Sequence, residues 1–120
     1  MKVTTSTLVS SIYKVPASLW TMCGRVTCVD LNGDRKPDTL LDSLTYQGGT
    51  SLKGSTEILL RAATAGLLNE AYYGTLYPPY SSKQQLLNAV NAALGTSNRS
   101  TIIDLGYQID YWNNGDHSTP

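Results

Sequence analysis

The second half of the chain differs sharply in composition from the first half, and this change limits the folds open to it. From about residue 55 onward, Ala, Leu, Asn and Gln recur at helical spacing, whereas strand and turn residues dominate before it. The pattern predicts a helix from about Ser55 to Tyr72, one from Ser81 until Gly95 stops it, and one from Asn98 or Ser100 until Asn113, Asn114 and Gly115 end it. The fold class is therefore mainly α, with a three-helix C-terminal bundle as the core.

The N-terminal half predicts an extended segment followed by irregular structure. Residues 3–15 are rich in β-branched side chains and predict a strand that Pro16 ends. A chain of 120 residues is one domain. We divide it into an N-terminal strand (1–16), an irregular segment (17–54) and the helical bundle (55–120). Because a lone strand must satisfy its backbone groups, it either pairs within the chain or is donated to a neighbouring copy, which would build a fibre or surface layer.

A short acidic loop predicts a calcium site. Such loops supply oxygens from positions 1, 3 and 5, from the carbonyl of position 7 and from position 9. These positions are occupied by Asp30, Asn32, Asp34, Lys36 and Asp38. Two residues depart from the pattern: Arg35 stands where glycine is preferred, and Leu41 stands where an EF-hand has a bidentate Glu. The alternative interpretation is a solvated turn, since Asp, Asn and Gly also favour turns.

Composition excludes two classes of partner. Charged residues make up 15% of the chain and the formal net charge is zero. The chain therefore lacks the positive electrostatic potential that would attract nucleic acid. No run approaches the roughly 18 apolar residues of a transmembrane helix, so we expect no membrane insertion. The absence of Phe and the abundance of Ser, Thr, Tyr, Asn and Gly favour a secreted or cell-surface protein.

The two cysteines, Cys23 and Cys28, are separated by four residues. They cannot complete a structural zinc site alone, and the one histidine, His117, lies in a polar tail. A local disulfide is one interpretation, and two buried free thiols are the other. His117 also has no nucleophile elbow to accompany it, and the acidic loop suits chelation better than acid–base catalysis. The sequence therefore predicts no catalytic residues and no enzyme.

Two further patterns concern the surface. Asn98, Arg99 and Ser100 form the one N-x-Ser/Thr sequon, so Asn98 is either a glycosylation site or an ordinary helix N-cap. Tyrosines crowd the linker around Pro78 and Pro79, where they form a patch for sugars or protein partners or else pack over the helices. These tyrosines are Tyr72, Tyr73, Tyr77 and Tyr80.

Several blocks of the last two thirds of the chain resemble, in order, a domain of secreted bacterial and algal surface proteins. The blocks are PDTLLDSLTYQGG, STEILLRAATAGLLNEA and LLNAVNAALGTSNRSTIIDLGYQIDYWNN. The family has LLDAL-x-Y-x-GG, ILLRAAVAALLNA, VNAALASGDR and LD-x-x-NN after a GYWKNHPEAW-type segment. The resemblance implies an extracellular location and attachment to cell-surface architectures. The acidic loop is separately similar to those of dockerins and integrin-type FG-GAP repeats, which bind calcium.

The chain departs from the family at both ends of the domain. The tryptophan-lysine segment is reduced to the residues around Trp20, and the closing cysteine after the Asn pair is absent. A family disulfide that joins the two ends cannot form here, and the pair Cys23 and Cys28 would replace it. The sequence thus predicts a non-enzymatic extracellular structural protein with a structural Ca²⁺. The alternative is a calcium-dependent carbohydrate- or ligand-binding module that uses the tyrosine-rich linker.

Overall fold

The computed structural model describes residues 3–73, 80 and 82–114, apart from the side chains of Tyr73 and Asn114. Within this part the chain is mainly helical, as predicted, with one small two-stranded antiparallel sheet. None of the described helices has the length and apolarity that crossing a bilayer requires. The elements in chain order are α1 (Val9–Ile12), a 3-10 turn (Ala17–Leu19), β1 (Thr21–Cys23), β2 (Val26–Cys28), α2 (Leu40–Ser43), α3 (Leu52–Tyr73), α4 (Lys83–Gly95) and α5 (Arg99–Asn114).

The three long helices contact one another, and the contact between α3 and α5 is the most extensive. Gly106 of α5 lies beside Leu59 of α3, and Asn113 Nδ2 donates to the Ala62 carbonyl at 2.9 Å. Because later residues of α5 meet later residues of α3, these two helices run in the same direction. Leucine and β-branched side chains of the three helices belong to one buried core, which also includes residues of the N-terminal half. Those that are almost completely buried include Leu59, Leu60, Leu67, Leu86, Val90, Leu94 and Ile102.

Two of the long helices begin a few residues away from their predicted starts, because neighbouring side chains cap them. Ser51 Oγ accepts a hydrogen bond from Gly54 N–H at 3.0 Å, so α3 begins at Leu52 and Ser55, the predicted N-cap, is buried within the helix. Ser82 Oγ accepts from Gln85 N–H at 3.2 Å and caps α4. The predicted capping residue Ser81 lies outside the described residues.

The predicted N-terminal strand over residues 3–15 is wrong. The segment makes one isolated bridge, between Leu8 and Thr39, and then forms the short helix α1. Its apolar residues Val9 and Tyr13 are buried, but Ser11 between them is exposed, which breaks the alternation that one face of a strand would show. The backbone groups that a strand would leave unpaired find partners within the chain, since Val9 N–H donates to the Asp38 carbonyl at 2.9 Å.

Residues 17–54, predicted to be irregular, contain the 3-10 turn, strands β1 and β2, helix α2 and the first residues of α3. Strands β1 and β2 form a hairpin in which Cys23 pairs with Val26. Helix α2 begins with a capping box: Thr39 Oγ1 accepts from Asp42 N–H at 3.3 Å, and Asp42 Oδ2 accepts from Thr39 N–H at 2.9 Å. The acidic loop therefore lies between a hairpin and a capped helix, both of which hold its ends.

Candidate metal centre

The Asp30 carboxylate organises the acidic loop by accepting three backbone hydrogen bonds. Oδ1 accepts from Gly33 N–H at 2.8 Å and from Asp34 N–H at 3.1 Å, and Oδ2 accepts from Arg35 N–H at 2.7 Å. These bonds curl the backbone around the first residue of the loop, as a short acidic side chain does in an Asx turn. The oxygen atoms of the following loop residues are therefore turned toward the same space.

The next two candidate ligands continue the pattern. Asn32 Oδ1 accepts from Asp34 N–H at 3.2 Å, and Asp34 Oδ1 accepts from Lys36 N–H at 2.9 Å. The side chains of Asn32 and Asp34 are exposed, and so is Lys36, whose carbonyl is the fourth candidate ligand. The loop thus presents its first ligands at the surface, where an ion from solvent can reach them.

Arg35 stands where such loops prefer glycine, yet its backbone adopts the conformation that glycine would supply. Its φ is +65°, in the left-handed region, and Gly33 has a φ of +78°. The sharp turn is therefore made despite the side chain, with strain on Arg35 that glycine would not carry. The second departure remains, because Leu41 brings no oxygen and its side chain is 56% exposed.

Asp38, the last predicted ligand, is 1% exposed. Its Oδ2 accepts hydrogen bonds from Leu31 N–H, at 2.7 Å, and from the Tyr46 hydroxyl. Its Oδ1 is buried and has no hydrogen-bond partner among the described residues. Burial raises the pKa of the Asp38 carboxyl, while the hydrogen bonds from Tyr46 and Leu31 oppose that rise. A buried carboxylate oxygen without a partner is costly unless a cation or proton meets it.

The structure brings three of the predicted ligands together. Asp30, Asp34 and Asp38 each offer a carboxylate oxygen, and these oxygens lie within 4.8 Å of one another. Like charges at this distance repel each other, and a divalent cation between them would remove the repulsion. Hard oxygen donors are the ligands that Ca²⁺ prefers. The donor set therefore fits calcium, with Asn32 and the Lys36 carbonyl as the neutral members of the set.

The two cysteines lie in the hairpin that precedes the loop. Cys23 is at the end of β1 and Cys28 at the end of β2, with their Cα atoms 5.8 Å apart and their sulfurs at disulfide distance. Both predicted partners are thus brought together. Since Cys28 is two residues before Asp30, a bridge here fixes the strand that enters the acidic loop.

Asn98 is exposed and acts as the N-cap of α5. Its Oδ1 accepts from Ser100 N–H at 2.9 Å and from Thr101 N–H at 3.1 Å. Capping uses the amide oxygen and leaves the amide nitrogen, the atom to which an N-glycan is attached, outside these bonds. The two interpretations of Asn98 are therefore compatible with each other in this geometry.

The predicted tyrosine patch is only partly described. Tyr72 is 84% exposed at the end of α3. Tyr80 packs edge-on against Trp112, with ring centroids 5.5 Å apart, and so belongs to the helix packing. Tyr77 and the side chain of Tyr73 lie outside the described residues, as does His117. Of the four predicted residues, the structure thus describes the side chains of Tyr72 and Tyr80, and the patch stays a prediction.

Sequence reasoning missed Tyr46, whose buried hydroxyl donates to Asp38. Nothing in the spacing of the loop points to it, because α2 separates Tyr46 from Asp38 and only the fold returns the ring to the carboxylate. Comparison of the chain with protein-family models, curated proteins and solved structures found no match. The candidate site is therefore argued from the geometry of its own residues.

Proposed function

We propose that this chain is a non-enzymatic extracellular structural protein in which a three-helix bundle carries a calcium-binding loop. The observation that carries the proposal is the buried Oδ1 of Asp38. This oxygen has no partner in the described part of the chain, and its carboxylate lies within 4.8 Å of those of Asp30 and Asp34. Removing a carboxylate from water without a partner is unfavourable, and a cation would offset that penalty.

Calcium would act here as a structural staple. Five loop oxygens would hold it, from the side chains of Asp30, Asn32, Asp34 and Asp38 and from the Lys36 carbonyl. Calcium takes six to eight oxygens, and Leu41 supplies none at the position of the bidentate Glu. The affinity should therefore lie near the weak range of extracellular modules, about 10⁻⁴ to 10⁻³ M. Such a site is filled where calcium is plentiful and would not act as a sensor.

The extracellular location has separate support. The cysteines lie at disulfide distance, and stable disulfides belong to oxidising compartments. The resemblance to secreted bacterial and algal surface proteins points the same way, and it also suggests a protomer of a surface assembly or a glycosylated fibre. Donation of residues 3–15 as a strand is not part of the proposal, because Val9 and Tyr13 of that segment are buried in the core of their own chain.

The decisive experiment measures thermal unfolding in calcium and in chelator. At a free calcium concentration about 100 times the Kd, binding to the folded chain alone should stabilise it by about 2.7 kcal/mol. Asp34→Ala should abolish most of this difference, and Asp34 suits the test because its side chain is exposed and absent from the core. Asp104→Ala, at an exposed position of α5, is the matched control.

An unfolding temperature that is the same in calcium and in chelator would contradict the proposal. Assembly is tested separately, by sedimentation and by electron microscopy of the native material. If the protein is monomeric under all conditions, the proposed assembly is wrong, and the proposed calcium loop is unaffected.

A further inference from the structure

An open hollow of about 390 Å³ lies beside the acidic loop. Most of its wall is polar and exposed, and two buried residues, Leu31 and Tyr46, complete it. The other lining residues are Asn32, Thr45, Gln47, Gly48, Lys53 and Glu57. A hollow with this lining suits a ligand that carries many hydrogen-bonding groups, and it offers little to an apolar one.

Hydrogen bonds fix one acidic side chain of the hollow and part of the backbone of its wall. Glu57 Oε1 accepts a hydrogen bond from Gly48 N–H at 3.2 Å. Arg61 Nη1 donates to the carbonyls of Tyr46 and Gln47, at 2.8 and 3.1 Å, and so fixes the backbone of one wall. Lys53 is exposed and forms no ion pair within the described part of the chain. Its ammonium group is therefore available to an anionic ligand.

Two residues connect the hollow to the metal centre. Asn32 is a candidate calcium ligand and also lines the hollow. Tyr46 lines the hollow, and its hydroxyl donates to the carboxylate of Asp38. Since the loop offers five oxygens and calcium takes six to eight, at least one coordination position is left for water or for a ligand. The hollow and the candidate metal centre thus share Asn32 and are adjacent at Tyr46.

We propose that the hollow binds an acidic sugar residue, a ring with several hydroxyls and one carboxylate, one of whose oxygens completes the calcium coordination. This inference rests on the proposed calcium site. The carboxylate would meet the calcium ion and the ammonium of Lys53, and the hydroxyls would hydrogen-bond to Glu57 and to the side chains of Thr45 and Gln47. A neutral sugar lacks the charge, and a simple carboxylate lacks the hydroxyls.

The inference predicts mutual dependence of the two ligands. In isothermal titration, D-glucuronate should bind about tenfold more tightly in calcium than in chelator, and it should tighten calcium binding by the same factor. Glucose has the hydroxyls without the carboxylate, and acetate has the carboxylate without the hydroxyls, so both should bind more weakly than glucuronate. Equal affinity for glucuronate in calcium and in chelator would overturn the inference, and so would equal affinity for acetate.

A variant separates the hollow from the loop. Lys53→Ala should weaken glucuronate binding about tenfold, by loss of a charge-assisted contact, and leave calcium binding without sugar unchanged. Lys14→Ala removes an exposed lysine far from the hollow in sequence and should change neither affinity. Calcium binding without any glucuronate binding would overturn this inference and spare the proposed function. Absence of calcium binding would overturn both.

Discussion

The two oxygens of the Asp38 carboxylate have different surroundings. Oδ2 accepts two hydrogen bonds and fixes the side chain, whereas Oδ1 is buried and meets no donor from the residues that the structure describes. Burial also raises the pKa of Tyr46, whose hydroxyl donates to this carboxylate, so Tyr46 remains a donor at any ordinary pH. A carboxylate held in this way is already oriented before an ion arrives. Preorganisation of this kind lowers the free-energy cost of binding.

Arg35 is the residue at which we expect a gain of stability. Arg35→Gly should stabilise the folded loop by up to about 1 kcal/mol, because glycine adopts a φ of +65° without the Cβ strain. The measurement is urea unfolding in calcium. Arg25→Gly is the matched control, because Arg25 is exposed in the hairpin turn and does not have a positive φ. Arg25→Gly should destabilise the folded chain by about 0.5–1 kcal/mol. If the two substitutions change stability equally, the backbone of Arg35 is not strained.

Asp110 gives a prediction about pH. Burial raises the pKa of its carboxyl, and the charge of Arg61 opposes the rise only in part. The folded chain then binds this proton more tightly than the unfolded chain, so ionised Asp110 lowers stability at neutral pH and the penalty disappears as the pH falls through the raised pKa. Asp110→Asn should therefore raise the unfolding temperature at pH 7 and have little effect near pH 3.

The control for this prediction is Asp104→Asn, an exposed position on the same helix. A gain from Asp110→Asn that is as large in acid as at neutral pH would show that the ionised carboxyl is not the cause.

At the scale of the elements, close contact between α3 and α5 depends on Gly106. A Cβ at this position would lie 2.9 Å from Ile58 Cγ2 and 3.1 Å from the Leu59 backbone. Gly106→Ala should therefore force the helices apart and destabilise the chain by about 1–3 kcal/mol, as overpacking does. Chemical denaturation monitored by circular dichroism measures the change.

Gly95 offers the opposite case within α4. A Cβ there would meet no atom within 4 Å, so Gly95→Ala should be neutral or stabilise by up to about 1 kcal/mol through helix propensity. If Gly95→Ala and Gly106→Ala shift stability in the same direction by similar amounts, the packing of α3 against α5 does not depend on the absence of a Cβ at Gly106.

At the scale of the whole molecule, side chains from the helices fasten the N-terminal segment to the rest of the chain. Asn91 Oδ1 accepts from Lys14 N–H at 2.8 Å, and Asn91 Nδ2 donates to the Ile12 carbonyl at 3.0 Å. The buried hydroxyls of Tyr13 and Thr64 also share a hydrogen bond of 2.9 Å. The N-terminal segment is thus part of the single core, even though residues 77 positions apart hold it there.

Asn91→Ala should destabilise the whole chain by about 1–3 kcal/mol, because it removes two hydrogen bonds and leaves backbone groups of the N-terminal segment without partners. Asn88→Ala is the control, since Asn88 is exposed on the same helix and accepts only from Gln84 Nε2 among the bonds described. It should change stability by less than about 0.5 kcal/mol. Calorimetry measures both, and an equal loss would show that the two hydrogen bonds from Asn91 to the N-terminal segment add little to stability.

The sequence predicted the long helices because their signals are local. Apolar spacing in α4, with Leu86, Val90 and Leu94, repeats within one helix and requires no distant partner. The candidate ligands could be proposed from the sequence for the same reason, since Asp30, Asn32 and Asp34 lie at alternate positions of one short segment. The N-terminal strand was predicted wrongly because β-branched composition is a weak signal, and the packing of α1 (Val9–Ile12) onto the rest of the chain overrides it.

By itself, the sequence determined the helical class, the positions of the candidate ligands and the cysteine pair, all of which follow from spacing along the chain. Only the tertiary structure decided which Asp38 oxygen is left without a partner, that Tyr46 meets this carboxylate, and that a hollow lined by Lys53 and Glu57 opens beside the loop. The physical reason is that burial and hydrogen bonding between elements depend on how the elements pack, and no short stretch of sequence encodes that packing.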